Sequence, residues 1–417
     1  MGRYTKEEIL RLVREEDIQF IRMQFTDIFG QMKNVAITAS QIEKALDNQI
    51  MMDGSSIEGF VRIEESDQYL WPDLDTFAIL PWRPQYGKVA RLICDVHNPD
   101  GTPFVGDPRG VLKRALARAG EMGLTFNAGP ELEFFLFQTD EDGRPTTKTS
   151  DEAGYFDLGP LDHGESTRRE ICLCLEEMGI QPESSHHENG PGQNEIDFRA
   201  SDAMSTADNF ITYKNVVSAI SERNGVYASF APKPIRGKSG NGLHMKVSLF
   251  RKGVNLEEVD PQMSKSFMAG VFNRMRDITL FLNPQVESYE RFGENEAPKY
   301  ITWSAQNRSR LMRVPVVHGK KAGFILRSPD SGINPYVAFG MVVRAGLEGV
   351  KNKETLPPPV DVSMRTLSKE ERDGYDKLPA SLQEAVSCAR ESAFLKESPC
   401  RKVAGRFMEV IEQQLLS

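Results

Sequence analysis

The segment GPELEFFLF, residues 129–137, limits the possible folds more than any other stretch. Its apolar and aromatic character is that of a buried strand, yet it carries Glu131 and Glu133. Side chains alternate across a strand, so the two glutamates share one face. Leu132, Phe134 and Leu136 take the opposite face, into a core. The pattern recurs in GQNEIDF, where Glu195 and Asp197 point one way and Ile196 and Phe198 the other. Just upstream, SSHHENGPGQ sets His186, His187 and Glu188 ahead of a Gly/Pro turn. Clustered carboxylates repel one another strongly at low dielectric. Either their pKa values rise or a cation sits between them. Oxygen-rich sets with a little imidazole favour Mg2+ or Mn2+. Composition alone also allows solvated outer faces of half-exposed strands, and both readings stay open at this point.

The chain has 417 residues, ample for a sizeable core and for two or three domains. Hydrophobic residues make up 39% and charged residues 27%, a soluble globular balance. The net charge of −9 comes without any basic block, which argues against nucleic acid and anionic membrane as partners. No apolar run approaches the ~18 residues a membrane span needs. The charged N-terminus MGRYTKEEILRLVREED lacks the apolar core of a signal peptide. Five cysteines match no common metal or disulfide spacing, so the cytoplasm is the expected compartment.

Residues 5–16 read as an amphipathic helix, and 18–38 and 77–97 as strands broken by turns. Asp107 can cap a helix that opens on Pro108. Beyond it, strands are expected at 131–138, 193–198, 226–231, 243–250 and 323–328. Helices are expected at 166–179, 206–224, 261–280 and 335–351, and residues 367–417 look helical and polar. This is an α+β pattern with long loops. GKSGNGLHMKVSLF adds a glycine-rich loop running into a strand near His244, a weak anion-binding signal by itself. Arg308, Arg310, Arg313 and Arg327 follow; guanidinium forks suit phosphate or carboxylate, though any one arginine is more often a surface ion pair.

In order along the chain, MDGSSIEGFVRIEESD, GPELEFF, HHENGPGQNEIDF, PKPIRGKSGNGLH, ESYERF, NEAP, SAQNRS and INPYVAF resemble the motifs of type I, bacterial-type glutamine synthetase. The resemblance implies a small β-grasp-like N-terminal domain, residues 1–105, and a catalytic α/β domain, residues 106–417. It implies a homo-oligomer, a hexameric ring or a dodecamer of two rings, with sites between subunits. It implies ATP as substrate, Mg2+ or Mn2+ as cofactor, and a γ-glutamyl phosphate that ammonia converts to glutamine. Position by position, Glu133, Glu188 and Glu195 match one metal site; Glu131 and His244 match two ligands of a second. Gly240, Arg291 and Arg327 match substrate-binding positions, and Arg308 and Arg313 match phosphate-side arginines. Asp53, reaching in from a neighbouring subunit, and Glu296 match the ammonium pocket. Glu183, Ser248 and Lys320 fall where the family contacts nucleotide.

The match departs from the family at several places. Ile325 stands where the third ligand of the second metal is expected, and Gly323 where an arginine beside the transferred phosphate is expected. Ser239 replaces the asparagine of the glycine-rich motif. The loop RFGENEAP is one residue short and lacks Pro-Gly, and the C-terminal tail is short. These changes surround one half of the site. They keep two other readings alongside glutamine synthesis: a ligase for a different amine or acid, and an impaired oligomer with a binding or regulatory role.

Overall fold

The computed structural model describes residues 3–60, 67–84, 86–317, 320–321, 323–364 and 366–416. The chain opens on helix α1 (Lys6–Glu15), capped by Thr5 and Glu8 in a reciprocal capping box. Its buried Ile9 and Val13 lie on a five-stranded sheet of β1 (Ile18–Thr26), β2 (Met32–Thr38), β3 (Ile50–Asp53), β4 (Asp67–Ile79) and β5 (Lys88–His97). The order is β2-β1-β5-β4-β3; β1 and β5 run parallel and the other pairs antiparallel. Short helix α2 (Ile42–Leu46) closes the core of this unit with Ile42, Ala45 and Leu46.

Helix α3 (Pro108–Glu121) starts the second unit, with Asp107 accepting a hydrogen bond from the Arg109 amide at its N-terminus. Strand β6 (Thr125–Thr139) is the spine of an eleven-stranded sheet. Paired with it are β7 (Pro145–Thr149), β9 (Gln193–Phe198), β10 (Ser201–Asp202), β11 (Val226–Ser229) and β12 (Leu243–Arg251), and β8 (Pro182–His187) lies beyond β9. The sheet continues through β13 (Val254–Asn255), β14 (Trp303–Ser304) and β15 (Met312–Arg313). A separate small ribbon pairs β16 (Val316–Val317) with β17 (Lys320–Lys321) before β18 (Phe324–Leu326) returns to the main sheet. Its main path is β14-β15-β18-β12-β6-β9-β8. One face of this sheet is apolar. Leu132, Phe134, Ile196, Leu243 and Met245 on it share a core with helices α4 (Glu165–Glu177), α5 (Ala203–Arg223) and α9 (Pro335–Asn352).

Helices α6 (Leu256–Val259), α7 (Pro261–Asn273) and α8 (Met275–Leu282) lie between β13 and β14. The run expected as one helix over 261–280 is interrupted at Arg274, whose guanidinium returns to the Gly270 carbonyl and to Glu354. Helices α10 (Lys369–Asp373), α11 (Leu382–Glu391), α12 (Ala393–Lys396) and α13 (Arg401–Leu416) end the chain; α11 and α13 bury one apolar face each.

The two units meet at a buried arginine. Arg109 of α3 reaches Asp73 of β4 (2.7 Å), Asp95 of β5 (2.8 Å) and Asp208 of α5 (2.8 Å). Asn334 adds a second tie: its side-chain amide donates to the Asp27 and Ile28 carbonyls, while its oxygen caps α9.

Candidate active site

Strand register assembles the acidic face. Glu131 of β6 lies opposite His244 of β12 on one side and Asp197 of β9 on the other. Glu133 lies opposite Glu195, and Glu195 opposite His186 of β8. Alternation then presents Glu131, Glu133, Glu195, Asp197, His186, His244 and Lys246 on the side away from the Leu132–Phe134 core.

Glu188 and Glu195 are buried, and the half-buried Glu133 lies beside them. One oxygen of Glu133 is fixed by the Gln193 side-chain amide (2.9 Å) and the Gly242 N–H (2.8 Å). One oxygen of Glu188 accepts from the Asn189 backbone and side chain, both at 3.0 Å. His186 sits 3.6 Å from Glu188 and 3.5 Å from Glu195 through its two ring nitrogens, and His186, Glu188 and Glu195 form a group compact enough to hold one ion. Burial and then the Glu188 charge push Glu133 up; burial also raises Glu188. Burial, followed by repulsion from Glu133 and Asp197, raises Glu195 to about 11. Carboxylates in that state are short of positive charge, and Asp197 Oδ1 is buried without a hydrogen-bond partner. The donor set fits a hard divalent cation. His187 is buried behind this cluster, tying the Glu188 carbonyl (2.7 Å) to Asp151 (3.0 Å) and so holding the Glu188 backbone in place.

The second position is built differently. Glu131 gives one oxygen to His244 Nδ1 (2.9 Å) and the other to Lys246 Nζ (2.8 Å). Burial would raise Glu131, but the His244 bond and charge and the Lys246 ammonium outweigh it and hold the carboxyl at about 2. Lys246 pairs directly with Ile325 across β12 and β18. Ile325 is buried and offers no donor atom. This set does not fit a second divalent ion. Gly323 has φ +131°, and a Cβ there would sit 2.0 Å from the Val247 carbonyl oxygen. The backbone itself excludes a side chain where the family resemblance leads one to expect an arginine.

The opposite wall is cationic. Arg291 is buried against Asp330 (3.5 Å) and the Pro329 carbonyl (3.0 Å). Arg327 is buried and pairs with Glu296. The Nε atoms of Arg313 and Arg327 are buried without hydrogen-bond partners, as donors awaiting an anion would be. The loop from Glu294 to Glu296 is held at three points. Lys233 pairs with Glu294, Ser239 Oγ accepts from Asn295 (3.2 Å), and Arg327 holds Glu296. Gly240 packs against Arg291 so closely that a Cβ would lie 2.4 Å from the Pro232 carbonyl.

These walls enclose a cavity of about 530 Å3. It brings together Glu131, Glu133, Glu188, Glu195, Gly240, His244, Arg291, Glu296, Arg308, Arg313 and Arg327, all expected from sequence. Asp53 does not line it: it is exposed at the edge strand β3, hydrogen-bonded to Ser55. Glu183 lies exposed on β8, and Ser248 lies on the half-buried face of β12 two residues beyond Lys246. The side chain of Lys320 lies outside the described residues. Lys233 lines the cavity and Lys246 contacts its Glu131, neither having been singled out from sequence; His186, noted there only within the His-His-Glu run, contacts Glu188 and Glu195. Only the strand alternation from His244 to Lys246 and Ser248 could have pointed to Lys246.

A cavity with a carboxylate cluster on one wall and buried guanidinium groups on the other defines a class of enzyme that brings a cation and an oxyanion together. Comparison with known proteins narrows the class. The profile described as glutamine synthetase, catalytic domain, matches residues 105–416, and that of its beta-Grasp domain matches residues 17–99. A glutamine synthetase from Clostridium saccharobutylicum is 52% identical, covering 98% of this chain and 94% of the relative. One from Methanosarcina mazei is 50% identical, covering 94% and 90%. Among solved structures, a GmaS/ADP complex superposes with a TM-score of 0.89 at 29% identity, covering 98% of this chain and 95% of that one. A Plasmodium falciparum glutamine synthetase determined by cryo-EM shares the fold, with a TM-score of 0.86 at 20% identity, covering 100% and 96%. The chain belongs to the glutamine synthetase family and is an enzyme of the ligase type. Among the described residues no helix is long and apolar enough to cross a membrane.

Proposed function

We infer that the chain is an ATP- and divalent-metal-dependent carboxylate–amine ligase whose default reaction makes glutamine from glutamate and ammonia. The carrying observation is the single cavity with Glu133, Glu188 and Glu195 facing Arg291, Arg308, Arg313 and Arg327. A γ-carboxylate oxygen of glutamate attacks the terminal phosphorus of ATP. The bond to the bridging oxygen breaks, giving ADP and γ-glutamyl phosphate. Ammonia then attacks the acyl carbon, phosphate leaves with the carbon–oxygen bonding pair, and a proton is lost to leave the amide. Mg2+ or Mn2+ at Glu133, Glu188 and Glu195 would supply charge neutralisation for the phosphoryl group. Arg308 and Arg313 serve the transferred phosphoryl group; Arg291 and Arg327 hold substrate carboxylate, with Gly240 leaving room beside them.

Glu296 and Asp53 form the ammonium pocket. The exposure of Asp53 on an edge strand supports service to a neighbouring subunit within a homo-oligomer, a hexameric ring or a dodecamer. Ser248, Glu183 and Lys320 contact nucleotide; Ser248 shares its face of β12 with His244, and a structural neighbour is an ADP complex. The domain division falls at 105/106, and the cytoplasm is the compartment.

A second reading, a ligase for another amine, is favoured by Ser239 and its bond to the short loop at Asn295, together with the GmaS likeness. Glutamate-dependent ADP release over a panel of amines decides between them. Release that requires ammonia supports glutamine synthesis, and faster release with an alkylamine or polyamine supports the second reading. No release from folded, Mg2+-loaded protein with any amine overturns both and leaves an impaired oligomer with a binding or regulatory role.

A further inference from the structure

We propose that the Lys246 ammonium is a built-in cation that takes the place of a second divalent ion, so that each subunit binds one metal ion rather than two. The proposal deepens the ligase reading and concerns the charge at the same site.

The geometry carries it. Both oxygens of Glu131 are engaged by the protein itself, one by His244 at 2.9 Å and the other by Lys246 at 2.8 Å. An ion entering here would have to displace the ammonium from Glu131, and it would find the Glu131 carboxylate, the His244 imidazole and, opposite Glu131 on β9, Asp197, one oxygen of which already accepts from Ser184 at 2.7 Å. The donor expected from β18 is absent, because Ile325 lines the cavity with an alkyl side chain. Hard divalent ions demand several oxygen ligands, and an alkyl group supplies none.

Charge arithmetic points the same way. Residues 246 and 325 are direct cross-strand partners in the β12–β18 register. A carboxylate at 325 beside a lysine at 246 would draw the ammonium away from Glu131; an isoleucine leaves Lys246 in direct contact with Glu131 at 2.8 Å, with the Asp197 and Glu183 charges further off. Relative to a site with a glutamate at 325, the chain has one negative charge fewer, and Lys246 adds a positive one. The local field facing the cavity therefore keeps a cationic centre without an exchangeable ion. The ammonium is tethered by its strand, so it is always present and cannot be chelated. Cross-strand neighbours are the pairs through which one substitution is most directly compensated by another.

The proposal predicts metal stoichiometry. Mn2+ titrated into the full-length, nucleotide-free protein, followed by calorimetry and by loss of the free-Mn2+ spin-resonance signal, should show one tight site per subunit. Glu195→Gln should abolish it. Lys246→Asn combined with Ile325→Glu should raise the count to two, and Lys246→Arg should keep it at one. Two tight sites in the unaltered protein overturn the proposal. So does a count of one in the double variant when its melting temperature matches that of the parent. Should the double variant not fold, the count on the unaltered protein decides alone. Ligase turnover is scored separately: one ion without turnover sinks the ligase reading and keeps this one, and two ions with turnover does the reverse.

Discussion

Glu195 sits under strong electrostatic stress within the cluster. Its unfolded-state pKa is near the ordinary 4.5, and its folded value is raised to about 11 by burial and by Glu133 and Asp197. Between those values the metal-free folded protein holds more protons than the unfolded chain, so stability falls as pH rises. Mg2+ bound at the cluster, as proposed, would relieve the repulsion and release protons. The melting temperature gained on adding Mg2+ is therefore expected to be larger at pH 8.5 than at pH 6, measured by differential scanning calorimetry, and Glu195→Gln should lose most of the gain. Gly323 is the second pressure point. Gly323→Ala is expected to destabilise by more than about 2 kcal/mol in chemical denaturation, because φ is +131° and Val247 blocks the Cβ. A neutral effect would show that the β17–β18 connection shifts freely. For the same reason, placing an arginine at 323 alone is expected to perturb the strand. Alternation within one strand is a local property, which makes Glu131, Glu133 and Glu195 legible in the sequence. Lys246 is not legible in that way, because its meaning depends on Glu131 in a neighbouring strand and on Ile325 in another.

At the scale of elements, α3 owes its place to Arg109. The helix is legible from Asp107, Pro108 and its apolar spacing, but its docking is not. The three carboxylates that receive Arg109 come from β4, β5 and α5, which are distant in sequence. Arg109→Met leaves the buried Asp208 with only the Tyr336 hydroxyl and takes the guanidinium from the half-buried Asp73 and Asp95, and a loss of about 3 kcal/mol is expected from the urea midpoint. An unchanged midpoint would mean that the two units are held by packing alone. The early half of β4 escapes a reading by pattern for a physical reason. It carries Pro72, which strands seldom admit away from edges and bulges, and its register against β5 shifts between Asp73 and Ala78. The break at Arg274 is equally silent in the hydrophobic period, since apolar residues continue on both sides of it.

For the whole molecule, the position of Asp53 makes assembly testable. If a neighbour supplies it, Asp53→Asn and Glu195→Gln lie in different chains of the same site, and each variant alone should be nearly inactive. Mixed oligomers made by co-expression should recover about a quarter of parental turnover, since random mixing gives both partners intact at that frequency in a closed ring. No recovery in verified mixed oligomers would place Asp53 outside the shared site. The acidic wall and the arginine wall come from one chain and could be anticipated from motifs in order; a contribution from across a boundary leaves no mark in a single chain beyond an exposed acid at an edge. The Arg327–Glu296 pair gives the assembled enzyme a built-in occupant. If Arg327 takes a substrate carboxylate as proposed, the newcomer has to evict a resident of its own kind, and eviction undoes one of the three ties on the Glu294–Glu296 segment while Lys233 and Ser239 keep theirs. On that reading, any small dicarboxylate able to do the same is expected to compete for the doorway whether or not it ever reacts.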